Sequence, residues 1–300
     1  MSYEKITVIA NPISGGQRNR QDRLDYVFDY FSRNGYQCTL KETSRRGEAR
    51  NFALQAVEEK DDLVIVIGGD GTINEITTAL VGSEVAMGLI PAGSGNGLAR
   101  TLGIPFNLER ACHLIATGEE VKIDAGKANN RIFALVAGVG FDAKVGKRFD
   151  EHHKRGAAGY FYLGAKEFLF YTPDPIKISF DDKSFEISPF VVAVANGKQY
   201  GNNAIIAPDA ILNDGLLDIT IVHQTSNFQL LRALPKLFGG KLARYPHAEF
   251  YQTKFVRIER NTPGLLNIDG EPVLEEPVIE VSILPQSLKI ISPPNTISLT

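Results

Sequence analysis

Glycine-rich segments follow three apolar runs in the first hundred residues, and their residue types suit the binding of phosphate. The segments are NPISGG, GGDGTINE and PAGSGNG, at positions 11–16, 68–75 and 91–97. Glycine lets a backbone turn tightly and bring its N–H groups up to phosphate oxygens. Asp70 adds a carboxylate that could hold Mg²⁺ or orient a transferable phosphate. In the third segment, the Ser94 hydroxyl and the Asn96 amide could hydrogen-bond a nucleotide.

An ordinary strand–turn–helix junction is the alternative interpretation of a single Gly-Gly-Asp-Gly segment. Three such segments together weaken that alternative, because the carboxyl ends of parallel strands meet at one edge of a sheet. None of them has the spacing of a Walker A loop or of a dinucleotide fingerprint. A helix predicted to start near Asn74 would add the positive end of its dipole to the second segment.

The order of the predicted elements indicates two domains. Short apolar runs alternate with helical stripes at first, which is typical of a parallel sheet covered by helices, and candidate strands then crowd together. We predict an α/β N-terminal domain with a doubly wound, mostly parallel sheet over residues 1–123. A largely antiparallel, β-sandwich-like second domain is predicted over 124–286, interrupted by helical segments at 144–171 and 226–238. The tail, 287–300, is predicted to return to the first domain.

Composition narrows the class of protein. Three hundred residues that are 43% hydrophobic can bury a large core, and the formal net charge of −3 argues against a nucleic-acid binder. Cys38 and Cys112 form no CxxC pair, which favours a reducing environment and no zinc site. We find neither a signal-peptide pattern nor an apolar stretch of membrane-spanning length, so a cytoplasmic location is expected.

Taken in order, the three glycine segments resemble the diacylglycerol kinase catalytic domain, and the resemblance covers nearly the whole chain. The later blocks that carry it are Ile123-Asp124, GVGFDA at 138–143, Ala195-Asn196-Gly197, DGLLD at 214–218 and Asp269-Gly270-Glu271. The resemblance implies a two-domain fold shared distantly with NAD kinases and phosphofructokinases. It also implies an enzyme that uses ATP and Mg²⁺.

Site residues follow from the resemblance position by position. The positions that would meet ATP are Asn11, Pro12, Ile13, Ser14, Gly15, Thr43, Gly68, Gly69, Asp70, Gly71, Thr72, Ile73, Asn74 and Ser94. Asp269 and Glu271 match the family's catalytic pair, which includes the proton acceptor, and we group Asp70 with them. Asp214, with the backbone carbonyls of Ile211 and Leu216, matches a metal site of the bacterial members.

The residues alone leave two of these assignments open. Asp269-Gly270-Glu271 between two apolar runs would serve equally well as the corner of a β-hairpin. A carboxylate there could also accept or orient the proton of a substrate hydroxyl, as a kinase requires. Asn213-Asp214-Gly215 is likewise a good turn by itself, so a turn and a metal site are both possible.

The implied function is transfer of the γ-phosphate of ATP to a lipid hydroxyl, on diacylglycerol, a sphingoid base or a related lipid. Gly97 stands where many bacterial lipid kinases carry an aspartate, and the third segment resembles the sphingosine and ceramide kinase branch. The alternatives are an NAD kinase-like enzyme and a catalytically silent module that binds nucleotide or lipid.

A lipid substrate implies a partner at a membrane surface, reached by peripheral association. Segment 144–171 combines basic residues such as Lys147 and Arg148 with aromatic ones such as Tyr160 and Phe161. That combination suits anionic headgroups and the acyl boundary, although a core helix with a solvated basic first turn is the alternative. We also predict a homodimer.

Overall fold

The protein was analysed as a computed structural model, which describes residues 3–14, 20–151, 168 and 171–294. The chain forms two compact units. The first takes the residues up to 124 together with those from 285 onward, and the second takes residues 125 to 284. None of the described helices is long and apolar enough to cross a membrane.

The first unit alternates strands and helices. Its elements are β1 (Ile6–Ala10), α1 (Arg20–Arg33), β2 (Cys38–Glu42), α2 (Glu48–Glu58), β3 (Leu63–Gly68), α3 (Asp70–Leu80), β4 (Ala86–Pro91), α4 (Gly97–Thr101), α5 (Leu108–Thr117), the start of β5 (Glu119–Ala128) and the end of β16 (Val278–Ser292). The strands lie in the order β2-β1-β3-β4-β16, and every pairing along this path is parallel. Strands β1 and β3 are buried along their whole length, as strands covered on both faces must be.

In the described residues of the second unit, strands outnumber helices. Its remaining elements are β6 (Arg131–Phe133), β7 (Val136–Gly140), α6 (Phe141–Glu151), β8 (Ile176–Phe180), β9 (Lys183–Ile187), β10 (Pro189–Ala195), β11 (Leu217–His223), α7 (Asn227–Leu231), α8 (Leu234–Phe238), a 3₁₀ helix (Leu242–Arg244), β12 (Ala248–Thr253), β13 (Phe255–Arg260), β14 (Gly264–Ile268) and β15 (Glu271–Glu275). One antiparallel sheet has the order β12-β11-β10-β7-β14-β15.

The other strands of the second unit, β9-β8-β13 and the first part of β16, also pair antiparallel. Buried and exposed residues alternate along β8, so one face of that strand points into the core. Ile178, Ile258 and Ile279 from this group meet Val192 and Leu266 from the six-stranded sheet in one hydrophobic cluster. Two sheets that share a core in this way form a sandwich, which confirms the predicted fold class.

Local differences from the predictions have physical explanations. Helix α3 begins at Asp70 rather than near Asn74, because Gly69 is extended and the chain turns helical directly after it. The predicted helix at 226–238 is split into α7 and α8, with Pro235 in the first turn of the second, where its missing N–H costs nothing.

Strand β16 runs without a break from Val278 to Ser292. Ile290 of its last part pairs in parallel with Met87 of β4, and the Gly82 N–H donates to the Ser287 carbonyl at 2.7 Å. Strand β2 was not predicted from the sequence, because it is an edge strand whose residues are mostly half-buried or exposed.

Candidate active site

In the first unit, the loops that follow β1, β3 and β4 meet at the carboxyl edge of the parallel sheet. The Asn11 side-chain amide donates to the Thr72 hydroxyl at 3.0 Å, which ties the first loop to helix α3. Backbone hydrogen bonds also join the strand ends at this edge. The Asn11 N–H donates to the Ile67 carbonyl at 2.9 Å, and the Ala92 N–H donates to the Gly68 carbonyl at 2.8 Å. The structure therefore brings the three glycine segments together.

Asp70 connects the second loop to the third. One of its carboxylate oxygens accepts the Asn96 N–H at 2.8 Å and the other accepts the Gly97 N–H at 2.7 Å. Burial raises the pKa of the Asp70 carboxyl, whereas the two backbone donors act in the opposite direction. Both oxygens are thus engaged in holding the loop, a role that the sequence analysis did not assign to this residue.

Glycine is required where these loops touch. A Cβ on Gly93 would lie 2.5 Å from the Cα of Gly69, and a Cβ on Gly95 would lie 2.5 Å from a carboxylate oxygen of Asp70. Asn96 has a left-handed backbone (φ 51°), and its side-chain amide bonds the N–H and the carbonyl of Gly93. Its side chain therefore shapes the loop, whereas the sequence had suggested that this amide could bind nucleotide.

The segment after β2 joins the same edge. Thr43 is buried, and both its N–H and its hydroxyl point to the Ala10 carbonyl, at 3.0 and 3.5 Å. Further along, the Gly47 N–H donates to a Glu75 carboxylate oxygen at 2.9 Å, so helix α3 also holds this segment. The sequence did not predict this contact of Glu75, because nothing in the local pattern beyond its place in the helix indicates a distant partner.

The predicted ATP contacts differ in their exposure. Ile13 and Ser94 are exposed; the half-buried positions are Asn11, Pro12, Ser14, Gly69, Asp70, Gly71 and Asn74, and the buried ones are Thr43, Gly68, Thr72 and Ile73. Gly15 lies outside the described residues. The first N–H groups of an α-helix have no partner within the helix, so α3 presents donors and the positive end of its dipole. The arrangement is chemically suited to bind a phosphate group.

In the second unit, Asp269 and Gly270 are the two corner residues of the β14–β15 hairpin. Their φ angles are 48° and 90°, and Ile268 pairs with Glu271 across the turn. Positive φ at both positions is the type I′ geometry that Asp-Gly favours, so the hairpin interpretation of this segment is correct. Glu271, the first residue of β15, is half-buried.

Asp269 does more than turn the chain. Its carboxylate accepts the N–H groups of Ala134, Leu135 and Val136 at 2.7 to 3.0 Å, and its own N–H donates to the Val136 carbonyl at 2.9 Å. The hairpin corner is thereby fixed to the connection between β6 and β7. These contacts fix the Asp269 carboxylate at the hairpin corner.

Asp142, in the first turn of α6, carries a carboxyl group that contacts the same hairpin. It accepts the Tyr200 hydroxyl at 3.0 Å and the Asn267 side-chain amide at 3.5 Å, and the Asn267 oxygen accepts the Gly270 N–H at 2.9 Å. A Cβ on Gly138 would lie 2.1 Å from an Asp142 oxygen, so glycine is needed there. The pKa of Asp142 is raised to about 6, and burial of the carboxyl group is the main cause.

Replacement of Asp142 by asparagine should change how stability depends on pH. Because the folded-state pKa of about 6 lies above the ordinary value of 3.8, the stability that this carboxyl contributes is full below pH 3.8 and is lost as the pH rises through 6. Asparagine carries no such charge, so relative to the variant the wild type should lose about 2 kcal/mol between pH 4 and pH 7. Urea unfolding of both proteins at several pH values measures this difference.

Asp182→Asn is the matched control, because it makes the same chemical change at an exposed aspartate. A flat Asp142→Asn difference across the same range would contradict the assignment.

Near the predicted metal-binding turn lies a buried carboxylate oxygen that has no hydrogen-bond partner in the protein. Exposed Asp214 accepts the Leu216 N–H at 2.9 Å, so the segment is a tight turn, with Ile211 half-buried before it. The Asp218 carboxyl has a buried oxygen, Oδ2, without a hydrogen bond, and burial raises its pKa to about 6, with smaller contributions from Asp214 and Asp209. An orphaned carboxylate oxygen beside other acids fits a cation.

The described residues contain no group of three or more His, Cys, Asp or Glu side chains placed to hold a metal ion. A cation at this turn would therefore need main-chain carbonyls or water as well, which magnesium accepts readily.

In the described part of segment 144–171, two aromatic residues pack against Phe141 and Phe190, whereas Lys147 is exposed. The rings of Phe141 and Phe190 stack at 4.6 Å, and Phe168 and Tyr171 meet them edge-on. The Lys144 ammonium group lies 4.7 Å from the Tyr171 ring centre. Positions 152–167, 169 and 170 lie outside the described residues, so the docking prediction for this segment remains a prediction.

Two family models match this chain, one for each unit. Residues 5–128 match the diacylglycerol kinase catalytic domain, and residues 135–292 match the YegS C-terminal NAD kinase beta sandwich-like domain. A crystal structure of a diacylglycerol kinase from Bacillus anthracis aligns with a TM-score of 0.75 at 23% identity, covering 99% of both chains. An NAD kinase from Archaeoglobus fulgidus aligns with a TM-score of 0.53 at 11% identity, covering 98% of this chain and 96% of that one. Both structures show a shared fold.

Sequence relatives carry the comparison further. A protein of Enterobacter sp. (strain 638) named "Probable lipid kinase YegS-like" is 30% identical, covering 98% of each chain. The diacylglycerol kinases of Bacillus subtilis and Mycobacterium tuberculosis (strain H37Rv) are 30% and 31% identical, covering 89% and 96% of this chain and 90% and 95% of theirs. The chain therefore belongs to the diacylglycerol kinase family. This confirms the predicted class of enzyme, an ATP-dependent lipid kinase and hence a transferase.

Proposed function

We propose that this protein transfers the γ-phosphate of ATP to a hydroxyl group of diacylglycerol or of a closely related lipid at a membrane surface. One observation carries the proposal: Asp70 locks two glycine loops together at the N-terminus of an eleven-residue helix, within a chain of this family. That arrangement offers backbone donors to phosphate without a side chain in the way. The printed names of the Bacillus subtilis and Mycobacterium tuberculosis relatives support diacylglycerol as the substrate.

The roles of the residues follow from their contacts. We assign the N–H groups at the start of α3, with Asn11, Thr43 and Ser94 around them, to the phosphates and nucleoside of ATP. In-line transfer requires mainly positioning and charge stabilisation, which fixed backbone donors supply. Glu271 is assigned the proton of the attacking hydroxyl. Asp269 holds the corner from which Glu271 projects.

Magnesium is proposed at the turn from Ile211 to Leu216. Asp214 and the two backbone carbonyls would hold it there, and the unpartnered oxygen of buried Asp218 supports a cation in this part of the unit. When bound, Mg²⁺ would order the turn and balance the acidic side chains. Peripheral membrane association and a homodimer also remain proposals.

The decisive experiment measures transfer of radiolabelled phosphate from ATP to a panel of acceptors. We expect a labelled phospholipid with diacylglycerol, weaker or no labelling of sphingosine, ceramide and phosphatidylglycerol, and none of NAD. EDTA should abolish transfer, and Asp214→Ala should raise the concentration of Mg²⁺ needed to restore it. Labelling of NAD alone would establish the alternative enzyme, and thermal stabilisation by MgATP without transfer to any acceptor would establish a silent binding module.

A further inference from the structure

Helices α7 and α8 carry an unusual concentration of exposed apolar side chains. Phe228, Leu231, Leu234 and Phe238 are 71%, 50%, 41% and 37% exposed. Four of the eleven exposed large apolar residues of the described chain therefore fall within eleven positions, whereas the others are scattered through the sequence. Single exposed apolar residues are normal, but a cluster of them marks an interaction surface.

These side chains are exposed because other residues of the same segment are buried and hold its backbone in place. Leu230 of α7 is buried, as are Leu242 and Tyr245 further along. The Leu237 carbonyl accepts the Ile205 N–H at 3.1 Å, and the Ser226 side chain caps the start of α7. Phe228 and Leu231 are separated by three positions and Leu234 and Phe238 by four, so each pair shares one helix face. The apolar side chains are presented outward by an anchored element.

Basic residues interleave with this apolar cluster. They are Arg232, Lys236, Lys241 and Arg244, and all except half-buried Lys236 are exposed. No Asp or Glu occurs from position 219 to position 248, although the whole chain has a net charge of −3. The Arg232 guanidinium lies 5.8 Å from the ring centre of Phe228, so positive charge and apolar surface alternate at short range.

We propose that this basic-apolar face, formed by Phe228, Leu231, Leu234, Phe238, Arg232, Lys236, Lys241 and Arg244, docks the protein on an anionic lipid bilayer. The inference extends the proposed function, because it rests on a substrate that lies in a membrane. Aromatic and aliphatic side chains enter the boundary between headgroups and acyl chains, and lysine and arginine bind the anionic headgroups.

The charge pattern favours a bilayer over a second copy of this chain. A two-fold contact through this face would place its four cations against the same four cations of the partner. An anionic lipid surface supplies the complementary charge. This face also differs from segment 144–171, which the sequence had suggested for docking.

A fluorescent reporter tests contact directly, because the chain contains no tryptophan. In Phe228→Trp, the emission should shift to the blue and rise when vesicles of phosphatidylglycerol and phosphatidylcholine are added. Brominated acyl chains should quench it. Leu54→Trp, at an exposed leucine of α2, is the matched control and should respond much less. An unshifted Phe228→Trp spectrum under conditions where the wild type sediments with the vesicles would overturn the proposal.

Substitutions test whether the face is needed for binding. Phe228→Ser combined with Leu231→Ser should weaken vesicle binding at least about tenfold, because both lose buried apolar area. Arg232→Gln combined with Lys241→Gln should weaken it about 25-fold at low salt, and high salt should mimic this loss in the wild type. Leu54→Ser and Lys127→Gln, both at exposed positions, should bind as the wild type does.

Two further measurements separate the possible explanations. Activity on a short-chain diacylglycerol dissolved in water should stay unchanged in the face variants, so that loss of docking is distinguished from loss of the proposed activity. The mass of each protein in solution should also be unchanged. If the wild type is a dimer that Phe228→Ser with Leu231→Ser converts to monomer, the face is a subunit interface and the proposal is wrong.

Discussion

Replacing Asp70 by alanine should abolish phosphotransfer and also lower the free energy of unfolding. The Asp70 carboxylate accepts hydrogen bonds from the N–H groups of Asn96 and Gly97, and alanine would remove both acceptors. Each buried donor that loses its partner costs about 1–3 kcal/mol. The third glycine loop should then leave the geometry that the phosphate requires. Transfer to diacylglycerol, nucleotide Kd and urea unfolding together measure the effect.

Asp62→Ala is a matched control within the same unit. Asp62 also accepts two backbone N–H groups, from Glu4 and Lys5, but it precedes strand β3 whereas Asp70 follows that strand. We expect this variant to lose some stability and to keep its activity. From the sequence alone, Asp70 was expected to act on magnesium or on the transferable phosphate. A stable, folded Asp70→Ala protein without activity would restore that earlier interpretation.

Glu271→Gln should lower kcat by about 10²–10⁴ while nucleotide Kd stays close to that of the wild type, because the variant loses a proton acceptor and keeps its shape. Asp269→Asn should behave differently. Its carboxylate holds three backbone N–H groups, so an amide there should reduce stability and misplace the hairpin corner. The two residues of the predicted pair are thus expected to separate into a chemical role and a positioning role.

Glu275→Gln controls for the loss of an acid from the same strand. Glu275 is four positions further along β15 and binds Asn129 and Arg131, so its replacement should affect stability and spare kcat. If Glu271→Gln loses nucleotide affinity with kcat unchanged, Glu271 is a ligand of ATP or of a metal ion, and the proton acceptor must be sought elsewhere.

The sequence was informative where a local pattern determines the structure. Glycines placed directly after buried apolar runs predicted the three loops, since parallel strands all end at one sheet edge. The Asp-Gly pair likewise indicated a hairpin corner as one of two open interpretations, because only a few residue types accept positive φ. The start of α3 was missed by four residues, since Gly71 and Thr72 are weak helix formers and conceal the first turn.

Contacts between distant residues could not be predicted in the same way. Asp142 and Asn267 are 125 positions apart, and only the antiparallel pairing of β14 with β7 brings them together. The sequence also cannot tell which face of a short helix is covered. A helical segment was predicted at 226–238, but the exposure of Phe228 depends on how Leu230 is anchored.

The fifteen-residue strand β16 has a consequence for the order in which the protein can be assembled during synthesis. Its last residues pair with β4, so the parallel sheet of the first unit gains this strand only from a segment that follows the second unit in sequence. Until the ribosome has released that segment, β4 has an unpaired edge, although the residues that form the glycine loops were made long before. An unpaired edge can pair with other chains. Nascent copies are therefore exposed to strand-mediated association for as long as the whole second unit takes to be translated.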